Sequence, residues 1–430
     1  MLHAGFSIAD ITPAFGAAGP GGFAPIPRMG IHDPLRVRAG VILTDDAALA
    51  LVGVDAVSLK TEDVTRAREM AAALSPIAAD RTIIAASHVH TGGPANDVLG
   101  TASDPHYREQ IVRQIATAVA EAARRAVPAE IASASGRAEG LAWNRRWKMA
   151  DGSQATHADP SAEGVIERAG PEDPEVLLLA ARAADDGRIL GFVSNFACHV
   201  TIMGGPLFAA DYPGAWSDAM EAATGAPLVF LNGAMGDVTQ VNKQLDRPQK
   251  GVEGVRRFAR MLSGESLRLL AEMQFTDAAE IVSAGETLRV GFRHPDPEQL
   301  ERDRESAAQA AADDYSREAV FARERLLLAE YIAEHGEEAC PMICARIGDL
   351  AIASGPGQMF CEFGLDCKAR SPFAKTVYVS LANGNAGYVP TPIAIATGGY
   401  EPTLCRGSKL APEAGGQMVD AQVRLLEALR

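Results

Sequence analysis

Residues 82–94 read TIIAASHVHTGGP, and the way this stretch is parsed decides how the rest of the chain is parsed. Thr82–Ser87 is a short apolar run that reads as a strand. It leads straight into His88 and His90 and then into a Gly-Gly-Pro turn. Alternation along an extended segment puts both imidazoles on the same side. In α/β proteins, ligands and catalytic groups gather beyond the carboxyl ends of strands. Two imidazoles aimed into one pocket are costly unless a metal or a carboxylate receives them. The plainer alternative is a polar strand edge satisfied by its neighbours.

The same grammar recurs further along. GFVSNFACHVTIMGG, residues 191–205, is a second apolar strand that ends in His199 and then glycines. Glycines at such a point let backbone and substrate approach closely. A lone histidine there is usually structural; two strands ending alike raise the odds for both. LVFLNGAMGDVTQVN (228–242) ends in a turn holding Asn232 and Asp237. LAIASGPGQ (350–358) delivers Gln358, and VYVSLANGNAGYVPT (377–391) delivers Tyr388, with Tyr400 twelve residues on. A tyrosine near two histidines serves as a phenolate ligand, as an acid, or simply as a locally bonded hydroxyl. The basic cluster WNRRWK at 143–148 holds Arg145, a candidate partner for a carboxylate or an oxyanion.

Between these strands the pattern turns helical at 62–74, 105–126, 214–223 and 251–273, with a charged, Ala-rich helical hairpin at 296–336 and a closing helix at 416–429. Strands are expected at 175–183, 189–198, 226–231, 281–293, 345–353 and 375–382, and residues 143–175 read as loop. Interleaved strands and helices predict an α/β fold of layered mixed β-sheets flanked by helices. By length the chain suggests two or three domain-sized units.

Composition narrows the partners. A net charge of −15 repels phosphate backbones and anionic membranes, which excludes nucleic acid and stable membrane association. That leaves a small-molecule substrate as the expected partner, with a homo-oligomer allowed but not read from the chain. MLHAGFSIADITPAFG has neither a basic start nor an apolar run, and the six cysteines form no disulfide framework. Reduced thiols in a cytoplasmic protein are the expectation.

Taken in order, SHVHTGGP, NFACHV followed by ADYPG, NGAMGDV and NGNAGYVPT resemble the neutral/alkaline non-lysosomal ceramidase family, from about ADITP at residue 9 to the last helix. The resemblance implies one zinc ion in a deep pocket, with His88, His199 and Tyr388 as ligands. His90 would be a base beside the metal or a substrate contact, and Arg145 and Tyr400 would contact the scissile group. The family hydrolyses the N-acyl bond of ceramide. In place of two or three units, the resemblance implies one large catalytic domain over 1–430, built of two packed lobes near 1–185 and 186–430. Where that family has Pro-Gly-Glu with a zinc-binding glutamate, this chain has Gln358, with Glu362 four residues on as the other candidate donor. No C-terminal immunoglobulin-like domain is expected. These departures point to a small, soluble acylated amine or sugar-like amide as substrate. A metal-dependent lyase or isomerase, and a ligand-binding relative without catalysis, are the rival classes.

Overall fold

The computed structural model describes residues 1–430. Eight strands make the larger sheet: β1 (His3–Asp10), β2 (Arg36–Leu43), β3 (Ala48–Val54), β4 (Thr82–Ala86), β5 (Val127–Arg137), β6 (Glu175–Ala183), β7 (Ile189–Phe196) and β8 (Leu228–Asn232). Their order across the sheet is β8-β7-β6-β5-β1-β2-β3-β4, so strands from both sides of residue 185 share it. The pairs β3–β4 and β7–β8 are parallel and the others antiparallel. The sheet curls until its edges approach. A Cβ on Gly53 of β3 would lie 2.5 Å from the carbonyl oxygen of Phe230 in β8, a contact that only glycine permits.

Alternation along these strands feeds two cores. One face carries Val37, Val52, Ile84 and Val176, and helices α1 (Thr61–Leu74), α2 (Pro105–Arg124), α3 (Asp211–Thr224) and α4 (Gly251–Glu272) bury their apolar stripes against it. The other face carries Leu51, Ile83, Leu179 and Leu231 and packs on a second sheet. That sheet contains β9 (Ile281–Val290), β10 (Glu338–Ile347) and β11 (Leu350–Ser354). After the two-strand ribbon member β12 (Gly357–Met359) comes its last strand, β13 (Lys375–Val379), giving the order β9-β10-β11-β13. Ile343, Ile352 and Val377 face the larger sheet, so each fully buried aliphatic contributes roughly 1.5–3 kcal/mol to joining the layers.

The outer face of the second sheet is covered by α6 (Arg317–His335), α7 (Cys361–Arg370) and α9 (Ala414–Glu427). The hairpin partner of α6 is α5 (Pro297–Gln309), and β14 (Gly387–Val389) and the short α8 (Pro392–Thr397) complete the chain's elements. The molecule is thus a four-layer α/β/β/α sandwich, as the layered mixed-sheet expectation requires. All six cysteines are free and buried, and no helix is long and apolar enough to cross a membrane.

Two expectations are corrected. Residues 143–175 are not plain loop: Trp143–Asn144, Arg146–Met149, Gln154–Thr156 and Val165–Arg168 are short strands, and Arg168 stacks over the Trp147 ring. The run 345–353 is not one strand. It spans the β10–β11 turn at Gly348, whose φ of 58° is left-handed.

Candidate metal centre

The ends of β4 and β7 meet beyond the larger sheet, where Val89 and Val200 form a parallel bridge. This pairing brings the three histidines together. The ligand nitrogens of His88, His90 and His199 all lie within 4.8 Å of one another. The convergence does not come from extended alternation. His88 has φ 71°, the left-handed region that costs a non-glycine residue roughly 1–3 kcal/mol. Its N–H donates to Ala56 O at 2.9 Å, and its Nδ1 donates to Val57 O at 2.8 Å, which hold the turn in place.

Those carbonyls also fix the chemistry of the rings. A carbonyl only accepts, so His88 carries its proton on Nδ1 and presents a bare Nε2. His199 is held the same way, with Nδ1 at 2.8 Å from Met235 O and 3.0 Å from Val238 O. His90 places Nδ1 3.4 Å from Gly21 O and Nε2 3.2 Å from His88 Nε2. Burial, ahead of the neighbouring positive charge, pushes all three imidazoles below their ordinary value, His90 to about 4. They are neutral donors at pH 7.

Two oxygen donors stand beside them. The Tyr388 hydroxyl is 3.2 Å from His199 Nε2. Gln358 pairs in register with Tyr388 across the parallel β12–β14 ribbon, so both side chains project alike. The buried Oε1 of Gln358 has no hydrogen-bond partner in the protein, which is unusual for an amide oxygen. The ribbon is packed tightly on the turn after β8: a Cβ on Gly236 would sit 2.4 Å from Gln358 O. Glu362, the rival donor, is exposed on α7 and does not line the cavity.

Arg145 lies behind Tyr388. Its Nη2 donates to Gly236 O at 2.9 Å and to the Tyr388 oxygen at 3.1 Å, and its Nε donates to Glu401 at 2.7 Å. Nη1 makes no bond within the protein. Glu401 is fully buried and also receives Arg146 Nη1 at 2.6 Å and Thr156 Oγ1 at 2.7 Å. Burial alone would raise the Glu401 carboxyl, but the two guanidinium groups together hold it below its ordinary value. Burial raises the Tyr388 phenol, while Arg145 draws it back down. Tyr400 stands edge-on to Tyr388, ring centres 6.2 Å apart, at the wall of a cavity of about 1080 Å³ that reaches His88, His90, Gln358 and Tyr388.

Two residues of this centre were not singled out for a role in the sequence. Glu401 lies in a loop, GGYEPT, with no motif to flag it. Asn232 was visible only as part of a turn. It is fully buried, and its Nδ2 donates to Ser87 O at 3.0 Å and to Cys198 O at 3.1 Å, the residues immediately before His88 and His199. One side chain thereby ties the two histidine-bearing strand ends together.

The donor set fits a metal ion: imidazole nitrogens with uncharged oxygen donors suit zinc and its first-row neighbours and not magnesium or calcium. No family model and no curated relative matches the chain. Among solved structures, the neutral ceramidase from Pseudomonas aeruginosa matches the whole chain and 74% of its own, at TM-score 0.76 and 18% identity. A ceramidase complexed with C2 matches the whole chain and 75% of its own, at TM-score 0.73 and 17% identity. Over its full length, this chain has the fold of the neutral ceramidases.

Proposed function

We propose that this chain is a zinc-dependent hydrolase that cleaves an amide or related acyl bond of a small molecule. One observation carries the reading. His88 and His199, more than a hundred residues apart, both spend Nδ1 on backbone carbonyls and turn bare Nε2 atoms toward one point, where Tyr388 and His90 also arrive. The fold shared with ceramidases supports the same reaction class by analogy.

His88, His199, Tyr388 and Gln358 would hold the ion. Zinc bound there supplies a Lewis acid and lowers the pKa of a water from about 15.7 towards about 7. His90 Nε2, neutral at pH 7, takes the proton of the attacking water and returns it to the leaving nitrogen. The Tyr400 hydroxyl, in the cavity wall, donates to the acyl oxygen as it gains charge; one such donor is worth about 3 kcal/mol. Arg145, outside the cavity lining and held by Glu401, acts through its bond to the Tyr388 oxygen. The six free, buried thiols support a cytoplasmic setting, which fractionation recovering the native protein elsewhere would contradict.

The test is release of free amine and carboxylic acid from N-acyl compounds by the zinc-loaded protein. His90→Ala is expected to keep its metal and lose roughly 10²–10⁴ in kcat. Metal loss in His90→Ala as complete as in His88→Ala would make His90 a ligand instead. Products of elimination or isomerisation, with no acid released, would overturn the hydrolase reading in favour of a lyase.

A further inference from the structure

The wall of the cavity above the metal centre is crowded with charged groups. Only nine of its 33 lining residues are hydrophobic. Ion pairs stand in the wall instead. Lys60 meets Asp97 at 2.5 Å, Arg406 grips Glu324 through two bonds of 2.6 and 3.0 Å, and Lys409 faces Glu338 at 3.5 Å. Glu324, Glu338 and Lys409 are themselves buried, and Tyr331 adds a hydroxyl to Glu338 at 2.9 Å. An alkyl chain laid along this wall would strip water from those groups and return no hydrogen bond. A strongly charged ligand would have to break pairs that already satisfy each other. Neutral hydroxyls can donate to the carboxylate edges and accept from the guanidinium and ammonium groups at once.

Resting on the hydrolase reading above, we propose that the substrate is a neutral, hydroxyl-rich amine carrying a short acyl group, as in an N-acyl amino-sugar. The α6 helix is the specificity wall, since it supplies Glu324 and Tyr331. Acyl groups longer than a few carbons are excluded by the charge lining.

The experiment compares N-acetyl-, N-butanoyl- and N-octanoyl-glucosamine with the same three acyl groups on hexylamine, using the zinc-loaded protein. The glucosamides are expected to be the better substrates, with kcat/KM falling about tenfold or more from acetyl to octanoyl. An apolar tunnel would instead give a gain of roughly fourfold for each buried methylene, and that rise would overturn the proposal. In the double variant Glu324→Leu with Arg406→Leu, the octanoyl-to-acetyl ratio is expected to increase; an unchanged ratio counts against the wall. If no compound is hydrolysed, the hydrolase reading fails, and calorimetric binding of the same series decides the substrate class alone. Tighter binding of acetyl-glucosamine than of octanoyl-hexylamine upholds it; the reverse order, or no binding by any member, overturns it.

Discussion

Asn232 shows how much of the centre depends on one uncharged side chain. Its amide donates to the carbonyls before both His88 and His199, so it sets the distance between their backbones without touching a ligand atom. Partners of this kind typically control metal affinity by about 10–100-fold. Asn232→Ala is therefore expected to raise the zinc Kd by roughly that factor and to shift the visible spectrum of the cobalt-substituted protein. Unchanged affinity and spectrum, with only a lower melting temperature, would reduce Asn232 to a structural role. Acid acts on the same rings. In the metal-free chain, burial holds His90 down at about 4, against 6.5 for a free imidazole. As pH falls below about 6.5 the unfolded chain takes up this proton first, so the stability present above that pH drains away toward about 4. Asp211 and Asp237, raised to about 6 by burial, act in the opposite sense, because the unfolded carboxyls release protons first as pH climbs from 3.8. With His88 and His199 also pushed down, three buried imidazoles outweigh Asp211 and Asp237 together with Asp55 and Glu172, which burial raises less. Chelator-treated protein is expected to melt lower near about pH 5 than near about pH 7 by scanning calorimetry, and an equal or higher value at the acid pH contradicts this balance.

At the scale of elements, the centre depends on two sheets staying in register. β4, β7 and β8 deliver the histidines and Asn232, while β12 and β14 deliver Gln358 and Tyr388 from the side of the second sheet. The apolar layer between the sheets fixes their relation. Leu179→Ala, in the middle of that layer, is expected to cost about 2–5 kcal/mol in denaturant unfolding. A cost below about 1 kcal/mol would mean that the layers do not pack as described. The strands that carry these ligands were legible because each is an apolar run closed by glycine and a polar group. β5 was not: VPAEIASASGR is small, polar and holds both Pro128 and Gly136. It becomes a strand because β6 pairs with it over nine residues, a tertiary effect that local propensity does not record. β1 (HAGFSIAD) carries no strand signal that the sequence alone assigns to an element, and α7 begins at Cys361 with no capping side chain to announce it. The convergence of His88 and His90 was legible, but its cause was not, since nothing in SHVH signals a left-handed histidine.

For the whole molecule, the four layers hold one charge-lined cavity over one cluster of histidine nitrogens. Which strands end in chemistry could be read from the sequence; that the sheet curls until the ends of β4 and β7 touch could not. Ligation linking such distant segments should stabilise the entire fold by mass action, by about 2.7 kcal/mol at a hundredfold excess of zinc over its Kd. Differential scanning calorimetry with and without zinc is expected to show that rise, and an unmoved transition would speak against a site linking the strand ends. Because Gln358 leaves the proposed ligand set without a carboxylate, Gln358→Glu is expected to bind zinc more tightly and to release it more slowly to chelator than the natural chain. The proposed chemistry requires one cation shared by His88 and His199. Elemental analysis of the purified protein beside His88→Ala and His199→Ala, all folded by circular dichroism, is expected to find one zinc per chain in the first and almost none in either variant. Absence of metal from the natural chain after zinc loading, or full occupancy in both variants, would contradict it.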